Sequence, residues 1–202
     1  MTLIETDFYS GKDVVWIART LLGSLIWVQG YDQLVTVSRI VETEAYSHKN
    51  DRASHAFQFR CTPRNKSMFA SGGTCYVYVC YGIHHMLNVV SNDVGVPDAV
   101  LVRAVEPITG FEQMAMRRGV DVGMNSRITS GPGKLTKALA IDKSYDGECL
   151  ISGRIRLFRD EYVVKAETVV AAPRIGVEYA GADAWLPWRF YLSDNKFVSR
   201  RT

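Results

Sequence analysis

The chain has 202 residues, with 24 Lys and Arg against 21 Asp and Glu, for a formal net charge of +3. Apolar residues make up 47% and charged residues 22%, ordinary values for a packed domain that exclude disorder, collagen and simple coiled coil. No apolar run reaches the ~18 residues of a membrane span, so no membrane contact is expected and a single domain over residues 1–202 is the simplest reading.

Met1 to Asp7 lacks the basic and apolar halves of a signal peptide. The four Cys, at 61, 75, 80 and 149, form no Cys-x-x-Cys pair, so neither zinc nor a redox motif is favoured and a reduced, cytoplasmic protein is expected. The first element is a helix: Ser10 is placed to cap it, Val14, Ile17, Ala18, Leu21 and Leu22 recur at helical spacing, and Gly23 stops the pattern. A hairpin follows, with arms Ser24 to Gln29 and Leu34 to Tyr46 around Gly30-Tyr31-Asp32-Gln33. Residues 47–66 form a long polar loop, the kind that is usually functional, within which Thr62-Pro63 is placed to open a short helix. Strands are expected from Thr74 to Cys80 and His84 to Ser91, around Tyr81-Gly82-Ile83, and from Ala99 to Val105. Helices are expected from Pro107 to Arg117 and from Gly131-Pro132-Gly133 to Ile141, and Ile155 to Val198 is strand-rich. The order implies an α+β fold with a largely antiparallel sheet.

Alternation places Ile40, Glu42, Glu44 and Tyr46 on one strand face. Two carboxylates there ordinarily mark a solvated face, because Glu is rarely buried. The other reading is a carboxylate beside an aromatic platform, able to serve as a general base toward water. Tyr76, Tyr78 and Cys80 share another face, which suits a half-buried sheet. Tyr81 differs: it stands at a hairpin tip before Gly82, with little of its own molecule to pack on, as rings that stack on or wedge between bases do. The His residues at 48, 55, 84 and 85, with Glu44 and Asp51, match no named zinc spacing. Asn88 and Arg103 lie on apolar strands, where each needs a partner. They belong either to a structural polar network or to a site in which Arg103 pairs with Glu44 and Asn88 reads a ligand edge. The pI of 8.7 falls short of the ~9 typical of nucleic-acid domains. Basic groups such as Arg60, Arg64 and Lys66, or Arg154, Arg156 and Arg159, read on composition alone as solvated surface.

The strings Arg39-Ile-Val-Glu-Thr-Glu-Ala-Tyr46, Thr62-Pro-Arg-Asn65, Tyr76-Val-Tyr-Val-Cys-Tyr-Gly82, Ser130-Gly-Pro-Gly-Lys-Leu135 and Arg174-Ile-Gly-Val177 resemble the alkyladenine (3-methyladenine, methylpurine) DNA glycosylase family, in the family's order, from about Asp7 to Val198. The resemblance implies a single mixed domain with a curved antiparallel sheet, flanking helices and a protruding β-hairpin that inserts into DNA. It implies a monofunctional glycosylase, free of metal and cofactor, that flips alkylated or deaminated purines out of duplex DNA and hydrolyses the glycosidic bond. By motif, Glu44 resembles the general base for water, Arg103 the group that helps hold it, and the Ile175 carbonyl a ligand of that water. Tyr46, His55 and Tyr78 resemble the stacking walls, with the His55 backbone also donating to the base edge, and Asn88 the residue that disfavours guanine. Tyr81, followed by Gly82, resembles the wedge, and Arg60, Thr62, Arg64 and Lys134 resemble phosphate contacts. Ile83-His84-His85 and the turn from Asn92 to Asp98 depart from the family pattern. The implied partner is damaged double-stranded DNA, bound by a monomer without an obligate protein partner, in the cytoplasm at a bacterial nucleoid or in a eukaryotic nucleus. A lesion-binding module without turnover and a metal-dependent nucleotide hydrolase are the rival readings.

Overall fold

The computed structural model describes residues 1–122 and 128–201. Nine strands form one antiparallel sheet that draws on both ends of the chain. They are β1 (Thr2–Leu3), β2 (Leu25–Gln29), β3 (Val35–Tyr46), β4 (Cys75–Cys80), β5 (His84–Ser91), β6 (Asp98–Thr109), β7 (Ile155–Arg159), β8 (Val169–Ala172) and β9 (Arg189–Leu192). The order is β1-β7-β2-β3-β6-β5-β4, with β9 added to β3 and β8 to β9. The sheet forks on the long β3: β2 pairs with its first half, Val35–Arg39, and β9 pairs with Glu42–Glu44. Among the described residues three α-helices flank it, α1 (Val14–Thr20, C-capped by Leu21), α2 (Phe111–Arg118) and α3 (Pro132–Ala138). The α+β class with an antiparallel sheet is as the sequence implies.

Local chemistry moves several boundaries. Asp13, not Ser10, caps α1: its Oδ1 accepts from the N–H groups of Val15 at 2.9 Å and Trp16 at 3.0 Å. Gly11 turns the chain at a φ of 64°, so no helix starts at Ser10. The helix expected from Pro107 is strand as far as Thr109, and Gly110, at a φ of 80°, reverses the chain into α2. Pro107 is tolerated in β6 because it faces Ser38 at a register shift, where the ladder is already interrupted. α3 stops at Ala138 because Ala140 takes a left-handed φ of 55°. Thr62-Pro63 opens no helix. The Thr62 N–H and hydroxyl both donate to Asn65 Oδ1, which fixes a turn, and a 3-10 turn follows at Lys66–Phe69.

The main core lies between the sheet and its helices, with Ile17 and Leu21 of α1 and Leu135 of α3 among the residues packed on Val41, Val100 and Val102. Thr43 ties β3 to α1 through a hydroxyl bond to the Ala18 carbonyl at 2.8 Å. On the opposite face a smaller cluster forms around Tyr76, Met68 and Ala56, and it is there that the sheet opens into a cavity.

Candidate active site

The carboxylates of β3 are not on a solvated face: Glu42 and Glu44 are both fully buried. A pair of compensating bulges places them. Along the β3–β6 ladder Ile40 faces Val105 and Glu42 faces Ala104, so Val41 is one residue too many on β3. Thr43 then faces Val102, so Arg103 is the extra residue on β6. Bulges re-aim side chains in this way. Arg103 points between the two glutamates, with Nε 3.2 Å from Glu42 Oε1 and one terminal nitrogen 3.2 Å from Glu44 Oε2.

The two carboxylates have different partners. Glu42 belongs to the interior, taking Arg189 at 3.0 Å and the Ser199 N–H at 2.7 Å. Glu44 accepts from the Tyr46 hydroxyl at 2.7 Å and the Ile175 N–H at 2.8 Å, and it is ion-paired with Arg103 at 3.2 Å. An ionised carboxylate offers about four acceptor positions, so two hydrogen bonds leave Glu44 room to accept from a further donor. Burial and then the charge of Glu44 push the Tyr46 phenol well above its ordinary range, so it remains a donor. Burial opposes the charge on Arg103, but Glu44 and Glu42 outweigh it and its pKa is raised.

Tyr46, Arg103 and Ile175 are also wall residues of a cavity of about 480 Å³, and Glu44 sits directly behind them. That volume suits a small-molecule or base-sized guest. The floor comes from matched positions on paired strands: Tyr76 opposite Asn88 and Tyr78 opposite Met86 on β4 and β5, then Leu101 on β6. Tyr76 and Tyr78 stack with centroids 5.4 Å apart, and His55 meets Tyr78 edge-on at 4.6 Å. Asn88 donates its amide to the carbonyls of Tyr76 at 3.1 Å and Met86 at 3.3 Å, which locks the side chain. His55 Nδ1 lies 2.9 Å from the Tyr76 hydroxyl. Burial, then the Arg64 charge, depress its imidazole to about 4. The fold therefore resists protonation of His55. The resulting loss of stability begins as pH falls below the ordinary ~6.5 and is complete below about 4.

The long polar loop carries His55 over the floor and is held by one buried clamp. Arg174 grips both Asp51 oxygens at 2.7 Å, with both side chains fully buried. It also donates to the Ala45 and Asp183 carbonyls and lies 4.8 Å over the Tyr46 ring. Asp51 in turn accepts from the Ser47 and Ala53 N–H groups, and Asn65 holds the loop's far end through the His55 and Arg60 carbonyls. Asp51 entered the sequence reading only as a metal candidate, and Arg189 and Tyr179 not at all. No local pattern marks them, since their partners are distant in sequence. The four His do not converge: His48 pairs with Asp98 at 2.8 Å, His55 meets Tyr76, His84 abuts Gly133 and His85 of β5 lies opposite Val79. Among the described residues no group of three His, Cys, Asp or Glu is arranged to hold a metal.

At the cavity rim, the β4–β5 hairpin turns through Tyr81 and Gly82 at φ of 51° and 73°. Tyr81 is 90% exposed. A left-handed aromatic residue is strained, and strain kept at an exposed tip points to function. Arg64 lies 5.0 Å from the Tyr78 ring and donates to the Val79 carbonyl, bracing the hairpin as well as lining the cavity. Arg60, Arg64 and Lys134 are exposed, and among the described residues none pairs with a carboxylate, whereas Arg117 and Arg154 pair with Asp32 and Glu148. Thr62 is half-buried in its Asn65 turn.

The family model described as methylpurine-DNA glycosylase (MPG) matches residues 7–196. The chain belongs to that family. It is similar over nearly its whole length to three bacterial proteins, each named "Putative 3-methyladenine DNA glycosylase". The Carboxydothermus hydrogenoformans protein is 42% identical, with 98% of this chain and 100% of that protein covered. The Desulfitobacterium hafniense protein is 40% identical, covering 98% and 99%. The Natranaerobius thermophilus protein is 37% identical, covering 97% and 98%.

Proposed function

We propose that this protein is a monofunctional DNA glycosylase that removes alkylated and deaminated purines from duplex DNA, acting as a monomer wherever the cell keeps its DNA. The observation that carries the reading is Glu44, held by two hydrogen bonds and the Arg103 ion pair with acceptor capacity left, behind a cavity walled by Tyr46, His55 and Tyr78. The target nucleotide leaves the stack, since the glycosidic carbon is unreachable inside the duplex. Its base lies against the aromatic walls. Glu44 takes a proton from water as the water oxygen bonds C1′, and the C1′–N9 bond breaks with its electron pair passing to the purine. A purine alkylated at N3 is cationic and departs as a neutral base, and neutral His55 does not repel that cation. A neutral lesion such as hypoxanthine is protonated as it leaves, at N7. Ile175 contributes its N–H to Glu44 and its carbonyl to the water. Arg60, Thr62, Arg64 and Lys134 contact phosphates along the approach. The chemistry draws on no metal or cofactor. The deciding experiment incubates the protein with a duplex carrying one hypoxanthine in the presence of chelator, then adds alkali. Strand breaks only after alkali support base excision, while no breaks, or breaks without alkali, overturn it.

On this reading Tyr81 fills the gap left by the extruded nucleotide. Tyr81→Ser should lower excision of hypoxanthine opposite thymine severalfold more than of hypoxanthine in a mismatch, because extrusion costs a few kcal/mol in a stable pair and least in a poor one. Thermal stability should hold, since Tyr81 is 90% exposed and Ser keeps the same Cβ in the left-handed turn. Equal losses on the two pairs would remove the wedge role.

Asn88 acts on selectivity. Guanine carries an amino group at C2 that adenine and hypoxanthine lack, and an amide locked to two carbonyls cannot turn away from it. Asn88→Ser should raise guanine excision relative to hypoxanthine by roughly tenfold, because it removes a steric clash of ~1–3 kcal/mol between the fixed amide and the amino group. An unchanged ratio with a lowered melting temperature would leave Asn88 as a strand-bridging amide only.

A further inference from the structure

The segment Glu178–Trp185 supplies part of the cavity mouth. Tyr179 lines the cavity while remaining 71% exposed. Its ring is not loosely hung. Val177 and Ala180 are buried in one cluster with Ala53, packed beside Tyr46, and the Tyr179 hydroxyl donates to the Ala53 carbonyl at 3.2 Å. Gly176 and Gly181, at φ of 77° and 62°, carry the chain out and back around it. An aromatic ring fixed by buried neighbours yet open to solvent contributes little to folding, and its area is available to a guest. The surrounding charges narrow the choice of guest. Glu178 is exposed, and Asp183 stands 3.9 Å from Arg52, so the segment around Tyr179 adds no basic excess of its own to Arg64 across the cavity. The ring therefore suits an uncharged face. It shares the cavity lining with Tyr81 of the hairpin.

Building on the glycosylase reading, we propose that Tyr179 is a substrate-binding contact: the outer wall of the cavity, packed against the deoxyribose and base edge of the extruded purine nucleotide. The ring holds the nucleotide after extrusion and takes no part in proton transfer. Loss of the ring then weakens capture without slowing hydrolysis of what is captured.

The test measures single-turnover excision of hypoxanthine from a duplex as a function of enzyme concentration, for the wild type, Tyr179→Phe and Tyr179→Ala. Tyr179→Ala should raise the half-saturating concentration about tenfold, the scale of one lost aromatic stacking contact, with the limiting rate within about twofold of wild type. Tyr179→Phe should keep both parameters within about twofold, because the ring makes the contact. Binding to undamaged duplex should be the same for all three. An active wild type with an unaltered half-saturation in Tyr179→Ala overturns the proposal alone. A fall confined to the limiting rate also overturns it. A wild type that leaves hypoxanthine in place overturns the glycosylase reading and this contact with it. Thermal melts accompany each variant, and a destabilised Tyr179→Ala shifts the decision to Tyr179→Leu, which keeps apolar bulk without a stacking face and should still show the raised half-saturation.

Discussion

Glu44→Gln is expected to reduce single-turnover excision by about 10²–10⁴-fold, the usual contribution of a general base, while lesion binding stays within a few-fold. The amide has the volume of the carboxylate and no capacity to take a proton. It also meets a donor-rich shell. The Tyr46 hydroxyl and the Ile175 N–H donate to opposite oxygens of residue 44, with the Arg103 cation beside them, so the amide NH₂ faces a donor and leaves it unsatisfied. That mismatch costs about 1–3 kcal/mol of stability. Denaturant melts read the stability loss and a gel-shift titration with lesion duplex reads binding, so the rate loss is separable from misfolding. More than a tenth of the wild-type rate in a folded variant would remove Glu44 as the base. Glu42→Gln provides the contrast. Glu42 has Arg103, Arg189 and the Ser199 N–H as partners rather than the cavity-wall residues Tyr46 and Ile175, so its loss should act on stability first.

How much of this was legible in the sequence depends on the range of each interaction. The Tyr76–Tyr78–Cys80 face follows from period-two alternation and stands as read, because β4 is regular and pairs evenly with β5. The exposed tip at Tyr81 follows from Tyr-Gly between two strand-like runs. The Arg103–Glu44 pairing was reachable as one of two readings, since an Arg in an apolar strand needs an anion. The burial of both glutamates was not reachable. It depends on the fork that lets β9 cover Glu42–Glu44 and on bulges that shift the β3–β6 register by one residue and back. Neither Val41 nor Arg103 carries a local mark of a bulge. The helix ends failed for a related reason. Ala140 and Gly110 take left-handed conformations that stop or start helices, and only Gly advertises that freedom. The loop's organisation was least legible of all. Asp51 and Arg174 are 123 positions apart, and nothing near either residue names the other.

Arg174→Met should be the most destabilising single change in the loop architecture, by about 3–5 kcal/mol, because it leaves a buried carboxylate without its cation. Asp51 would keep the Ser47 and Ala53 N–H groups, at 3.1 Å and 3.0 Å, which are too few for a fully buried charge. The damage is directional. Ala53, His55 and Tyr179 hang on the segments that Arg174 joins, and the Ile175 N–H that holds Glu44 is the next residue along the chain. Arg174→Met should therefore weaken lesion capture and lower the limiting rate together, unlike Tyr179→Ala. Arg174→Lys should lie between Met and wild type, since an ammonium cannot bind both Asp51 oxygens in the guanidinium's fork geometry. A double-mutant cycle with Asp51→Asn isolates the pair. A single neutral loop should be less costly than a stranded charge, so the double variant is expected to be more stable than the sum of the singles allows. Urea denaturation of the four proteins reads the coupling. A coupling near zero, or Arg174→Met within about 0.5 kcal/mol of wild type, would mean that the loop is held by Asn65 and the hydrophobic cluster around Ala53 and Val177 instead.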